Sequence, residues 1–234
     1  MVYILCWSWI LSSLGAIALA QDNNDQLALE SLVYFGRPLG ENMEGLSVQE
    51  RKQALERGYQ SIENLNEKLV QMFEQNVEAI NEIDHFASLL YALSMRTDLT
   101  VDQIHRLTAP LESPAYQDDM LGRQRVYLAR GILAILRHYP GEENRLLARK
   151  FLLDSDLTVV IKAIETLSFI GNSDDLVAAY NQVEKRRGET SGLYYDLYRE
   201  EMIRKYNDFA RRLSRPTLKQ SRLLTSEEIR QLQQ

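Results

Sequence analysis

Two short stretches place a carboxylate three residues ahead of a histidine: Glu82-Ile83-Asp84-His85 and Asp102-Gln103-Ile104-His105. On a helix, residues i and i+3 share a face, so each pair can offer an oxygen and an imidazole nitrogen to one divalent metal. Di-metal helical bundles use this arrangement, with further glutamates projecting inward from two other helices. No such glutamates can be picked out in a chain carrying 33 acidic residues. Solvated or interface histidines account for the same pattern. The expectation is therefore no metal and no cofactor, with Glu82, His85, Asp102 and His105 as the residues to inspect.

Nucleophilic chemistry has less to work with. The chain contains no Gly-x-Ser-x-Gly elbow, no glycine loop that could cradle a phosphate, and no paired histidine and cysteine. The expected class is non-catalytic. An all-helical cell-envelope enzyme or a metal-binding helical bundle is the alternative.

Residues that could hold a partner are easier to name. In "GLYYDLYREEMIRKYNDFARRL", Tyr195, Tyr198, Met202, Tyr206, Phe209 and Leu213 follow the spacing of a core-facing helical stripe. Tyr194 falls on another face and is the candidate interaction anchor. Charge is also uneven. Residues 21–98 hold 14 acidic against 6 basic side chains, whereas residues 203–222 hold seven basic ones and a single Asp208. Arg211, Arg212 and Arg215 crowd a helix end, where cations meet the negative end of the dipole. Pro216 stops that helix, and Lys219 and Arg222 carry the charge into a flexible stretch. These residues form either a solvated or docked tail, or a patch for an anionic partner or membrane surface.

The positioning elements begin after an unusual opening. "MVYILCWSWILSSLGAIALA" has no charged side chain and ends in Ala18-Leu19-Ala20, the small-residue pattern of a secretory signal cleaved after Ala20. An uncleaved N-terminal anchor is the competing reading, since the run is long enough to span a bilayer. Cleavage removes Cys6, Trp7 and Trp9, the only cysteine and the only tryptophans. The exported chain, periplasmic or extracellular, would then hold together through its core without disulfides. A net charge of −6 argues against a nucleic-acid binder, and no stable membrane insertion is expected after cleavage.

The remainder reads as helix throughout. Ser47-Val48-Gln49-Glu50, Thr100-Val101-Asp102-Gln103 and Thr225-Ser226-Glu227-Glu228 are capping boxes. A short helix ends near Phe35. The seven-residue spacing of Val48, Leu55, Ile62 and Leu69 predicts one long amphipathic helix over 48–80. Further helices are expected over 83–95, 101–107, 118–138, 142–153, 157–170, 174–187 and 193–213. In "DSDLTVVIKAIETLSFIG", Asp156 is the N-cap, Val160, Ala163, Ile164, Leu167 and Ile170 form the apolar face, and Gly171 supplies a left-handed exit. A second helix restarts at Ser173, with Leu176, Ala179 and Val183 inward.

The stretch "LLDSDLTVVIKAIETLSFIGNSDDLVAAY" resembles a bacterial HEAT-like repeat, through Asp154, Asp156, Val159, Ala163, Leu167, Ile170, Gly171 and Leu176. It departs at Leu157, Val160 and Ser168. Thirty-four residues earlier, Ala129, Leu133 and Leu136 stand where Ala163, Leu167 and Ile170 stand, so that stretch looks like a degraded copy, with a helical bundle carrying one chance HEAT-like hairpin as the alternative. The resemblance implies an all-α chain of helical hairpins stacked as a short solenoid behind long amphipathic helices. The expected organisation is a signal peptide over 1–20, an N-terminal helical segment over 21–110, a HEAT-like region over 118–213, and a basic tail with a short helix over 214–234. Such stacks present extended surfaces, so the expected role is a scaffold or adaptor that binds another protein.

Overall fold

The computed structural model describes residues 24–77, 83–113, 116, 122–187 and 193–218, and among them every regular element is helical. The chain divides into two compact units between Ala92 and Leu93. This boundary lies earlier than residue 110, so the helix that follows Thr100 belongs to the second unit.

The first unit contains α1 (24–35), α2 (Val48–Gln60), α3 (Leu65–Val77) and most of α4 (Ile83–Ser94). Ser47 caps α2 in a complete capping box with Glu50. The expected single helix over 48–80 is instead two. Ser61 takes the last carbonyls of α2, and Asn64 adopts a positive φ of 53° before α3 begins. Asparagine tolerates that left-handed geometry better than most residues. The seven-residue stripe breaks with it: Val48 is 87 % exposed, while Ile62 and Leu69 are buried. Leu29, Leu32 and Val33 of α1, Val70 and Phe73 of α3, and Phe86 and Leu89 of α4 make this unit's core. The Phe73 and Phe86 rings stack with centroids 5.8 Å apart. Gly58 faces Leu32 so closely that a Cβ there would lie 2.7 Å from a leucine methyl.

In the second unit, α5 (Val101–Thr108) is capped by Thr100 and Gln103 and runs into a 3-10 turn at Ala109–Glu112. Then come α6 (Gly122–Leu136), α7 (Glu142–Lys150) with a 3-10 turn at Phe151–Leu153, α8 (Leu157–Ile170), α9 (Ser173–Arg187) and α10 (Leu193–Arg212). The Tyr139 hydroxyl accepts from Leu99 N–H and donates to the Arg96 carbonyl, which ties the approach to α5 to the end of α6.

Pairwise contacts fix the direction of these helices. Arg125, in the first turn of α6, pairs with Asp154 just before α8. Far along both helices, the Thr166 hydroxyl donates to the Leu133 carbonyl. Thus α6 and α8 run the same way. Lys205 meets Glu165, and Arg212 reaches the end of α8, so α10 runs with them. The return helices α7 and α9 start at a common end, where Arg145 pairs with Asp175. Arg186, in the last turn of α9, donates to the Asp154 carbonyl at the start of α8.

α8 is the centre of the unit. It packs on α6, α7 and α10 and buries Val159, Val160, Ile161, Ala163, Ile164, Thr166 and Leu167. An apolar face on one side only was expected. Neighbours on several sides instead bury nearly its whole circumference, and Ile170 stays half-exposed. Ala129 and Leu133 are buried on α6 as Ala163 and Leu167 are on α8. The Asp156 carboxylate accepts from the Thr158 and Val159 N–H groups, as its position predicts. Gly171 does stop the helix, but with φ −81° and ψ 171° it is extended rather than left-handed. Space demands glycine here: a Cβ would lie 2.7 Å from the Leu167 carbonyl oxygen and 2.8 Å from the Phe209 ring. The restart also has a cap that the sequence reading passed over. Asn172 Oδ1 accepts from Asp174 and Asp175 N–H, and Asp175 returns a carboxylate oxygen to Asn172 N–H. Leu176, Ala179 and Val183 point inward as expected.

α10 ends in a tight reversal. Ser214 takes a φ of 55°, its N–H donates to the Arg211 carbonyl, and Arg215 N–H donates to the Ala210 carbonyl. This is the paired bonding that closes many helix C-termini. The chain then folds back. Asn207 donates from Nδ2 to the Leu218 carbonyl at 2.8 Å and accepts Leu218 N–H at 2.6 Å. Leu218 is 4 % exposed, so the stretch immediately after Pro216 is anchored rather than loose. Burying one leucine stabilises by about 1.5–3 kcal/mol, and two hydrogen bonds add about 1 kcal/mol each. Ordering Pro216 to Leu218 costs about 1–2 kcal/mol per residue. The two sides nearly cancel.

Candidate functional site

Two clusters of charged side chains in the second unit each join the starts of two parallel helices. In the first, the Arg125 guanidinium holds both Asp154 oxygens, at 2.6 and 2.9 Å, and lies 5.6 Å from the Tyr116 ring centre. In the second, Arg145 reaches both Asp175 oxygens at 2.8 Å, and Arg149 adds a longer contact at 3.6 Å. Asp175 is fully buried and also accepts from Asn172 N–H. A buried carboxylate needs such saturation, because an unpaired charge in a low-dielectric interior is strongly unfavourable.

Burial, followed by the nearby Asp154 charge, pushes the Tyr116 hydroxyl up to about 12. The hydrogen bonds Arg125 donates to Asp154 raise its pKa, and those Arg145 donates to Glu142 and Asp175 raise its own, so both stay cationic. A cleft of about 410 Å³ opens beside the first cluster, between Gly122, Arg123, Val126 and Tyr127 on α6 and Ser155 and Asp156 before α8. Its walls are mixed in charge, and Asp156 already serves as a helix cap. A second cleft, of about 330 Å³, lies in the first unit against Ser31, Arg37, Leu39 and Glu41.

The histidines singled out by sequence stand in separate settings. His85 stacks on Tyr34 with centroids 4.7 Å apart and meets the Phe35 ring edge-on. His105 Nε2 lies 3.1 Å from a Glu143 oxygen, while Asp102 turns to Arg106 at 3.9 Å. Asp102 and His105 share a helix but face different partners. Glu82 lies outside the described residues. Among the described residues, no three or more of His, Cys, Asp and Glu gather as a metal site. His138 accepts a hydrogen bond from Arg137, and burial together with that positive neighbour lowers its pKa.

The basic residues near the C-terminus divide by role. Arg212 donates to the Phe169 carbonyl at 3.0 Å and to the Gly171 carbonyl, and its guanidinium lies 5.3 Å from the Phe209 ring centre. It supplies donors to the orphan carbonyls at the end of α8, where the helix dipole is negative. Desolvation at this position lowers its pKa. Arg211 pairs with Asp208 on its own helix. Arg215 is exposed, with its backbone held by the helix-closing turn. Lys219, Arg222 and the Tyr194 side chain lie outside the described residues. Met202, Tyr206 and Phe209 are buried, as the stripe predicts, whereas Tyr198 is partly exposed.

Sequence reasoning missed the apolar residues left outside on α7 and α9. Leu146 is 49 % exposed and Val177 58 % exposed. Leu146 directly follows Arg145 and Val177 comes two residues after Asp175, the ion-paired residues that register the two helices. Leu146 stands beside Leu147 and Val177 beside Leu176, and local patterning cannot tell which member of each pair is core. Among the described residues, no helix is long and apolar enough to cross a membrane. No protein-family model, curated protein or solved structure matches the chain.

Proposed function

We propose that this protein is an exported, non-catalytic scaffold or adaptor that binds another protein across HEAT-like stacked helix pairs of its second unit. One observation carries the reading: α7 and α9 start from a common ion-paired end, and each leaves an apolar residue in solvent, Leu146 and Val177. Side chains of this kind on neighbouring parallel helices suit a partner's apolar surface, with the charges around them as a polar rim. The saturated Asp175 carboxylate fixes the helices at their shared end, which keeps the surface preorganised.

A photo-crosslinking amino acid at Val177, and separately at Leu146, tests this in the exporting cell. The expected result is one shared partner at both positions, absent when the probe replaces exposed Arg130 on α6. The purified partner should then lose affinity for Leu146→Glu by about tenfold or more. Equal crosslinking at all three positions, or none, counts against the scaffold reading. N-terminal sequencing of the exported protein is expected to begin at Gln21, and recovery of intact Cys6 in a membrane fraction would favour the anchor.

A further inference from the structure

We infer that the α5 region is held by two histidines that answer acid in opposite ways, so that acidification weakens its attachment to α6 and strengthens its attachment to α7. The first grip lies at the end of α6. Arg137 donates from Nε to His138 Nε2 at 2.9 Å, so that nitrogen offers its lone pair and the ring is neutral. The ring also hydrogen-bonds to the backbone of Ser94, the last residue of α4. The next residue works on the same approach to α5: the Tyr139 hydroxyl accepts from Leu99 N–H and donates to the Arg96 carbonyl. The second grip is on α5 itself. His105 Nε2 lies 3.1 Å from a Glu143 oxygen on α7, a contact that becomes an ion pair when the imidazole is protonated.

A proton does opposite things at the two rings. On His138 it occupies Nε2, removes the acceptor that Arg137 uses, and sets two cations side by side. Burial and that guanidinium lower the His138 pKa, while the bond to the Ser94 backbone works the other way. Arg96 and Asp98, on the approach, pair with each other and act on Tyr139. Glu142, at the start of α7, is engaged by Arg145. A histidine held below its ordinary value of 6.5 adds stability that is present above that value and is lost as pH falls toward the folded one. On His105 the proton creates the charge that Glu143 attracts, since near pH 5 a histidine ordinarily charges while a glutamate ordinarily stays ionised. The His105 pair is exposed, so its effect is the smaller of the two. Leu146 and Val177 take no part in either grip, and failure here would leave the proposed scaffold surface untouched.

The test uses the full chain and two readouts, with helicity checked by circular dichroism. Amide hydrogen exchange over residues 93–100, corrected for the intrinsic effect of pH, should be at least about threefold faster near pH 5 than near pH 7.5. His138→Gln keeps an acceptor for Arg137 at every pH and should abolish that rise, whereas His105→Gln should enlarge it. In an NMR titration of the ring protons, His138 should titrate below about 6.5 and move up toward that value in Arg137→Gln. An equal rise in exchange with His138→Gln overturns the proposal, as does a His138 titration that Arg137→Gln leaves in place. A rise that His105→Gln leaves unchanged overturns the opposition between the two grips. If His138→Gln loses helicity, the Arg137→Gln titration still decides, because it reads the ring in the folded chain.

Discussion

α2 and α8 begin alike and end up as different objects. Each opens with a side-chain cap, Ser47 for α2 and Asp156 for α8. Each carries apolar residues at helical spacing. Yet α2 buries only Ala54, and α8 buries half of its fourteen residues. Local signals define where a helix starts, and its neighbours define what it is for. α8 is enclosed by α6, α7 and α10, so its stability is shared among them. α2 depends more on its own first turn, since isolated helices of this length are marginal in water.

The comparison can be broken most severely at the ion-paired end beside α8. Asp175→Ala leaves Arg145 paired with Glu142 alone, breaks the contact to Arg149 and removes an acceptor from Asn172 N–H, and the expected cost is about 3–5 kcal/mol. Urea melts of the full chain measure it, and a change under about 1 kcal/mol would mean that the buried pair is not needed. Leu167→Ala should cost about 2–5 kcal/mol through lost burial and the cavity left behind. Val48→Ala on α2 should stay within about 0.5 kcal/mol. If the two melts shift equally, the contrast between the helices fails. Gly171→Ala pushes a methyl against the Leu167 carbonyl and the Phe209 ring, and about 1–3 kcal/mol of destabilisation is expected. A neutral result would show that α10 can slide away from α8.

The smallest effect concerns pH. Burial alone would raise the Glu165 carboxyl, but hydrogen bonds from Lys205 and Lys162 outweigh it and hold the pKa below 4.5. A carboxyl lowered on folding adds stability that is present above its unfolded pKa and is lost as pH falls through the folded value. The α8–α10 contact should therefore weaken below about pH 4.5, and Glu165→Gln should flatten that part of the stability–pH curve. An unchanged slope in the variant would remove Glu165 from the account.

Much of the fold was legible where it is locally encoded. The bounds of α8 match the predicted 157–170, and both capping boxes that fall within the described residues formed. The failures have a common cause. Gly171 was read as a turn conformation, when its role is close packing against Phe209, 38 residues away. Arg212 was read as a cation at the end of its own helix, when its donors serve the end of α8. The Arg125–Asp154 and Arg145–Asp175 pairs join residues 29 and 30 apart, and nothing in a window of one or two helical turns identifies such partners. Of the candidate site, the basic residues were visible by charge. Their division into structural and exposed members needed the third dimension. Leu146 and Val177 were invisible for the opposite reason, since a leucine or valine in a helix is read as core by default.

Lys205 and Arg212 act as two marks on a ruler. They stand seven residues apart on α10 and engage Glu165 on α8 and Gly171 just past its end, six residues apart. Each residue added to a helix turns everything beyond it by about 100°. One insertion between Lys205 and Arg212 would leave the first mark in place and swing the second away from the carbonyls it serves. The two helices are thus gauged against each other over this stretch, and an insertion would have to fall outside it to leave both marks engaged.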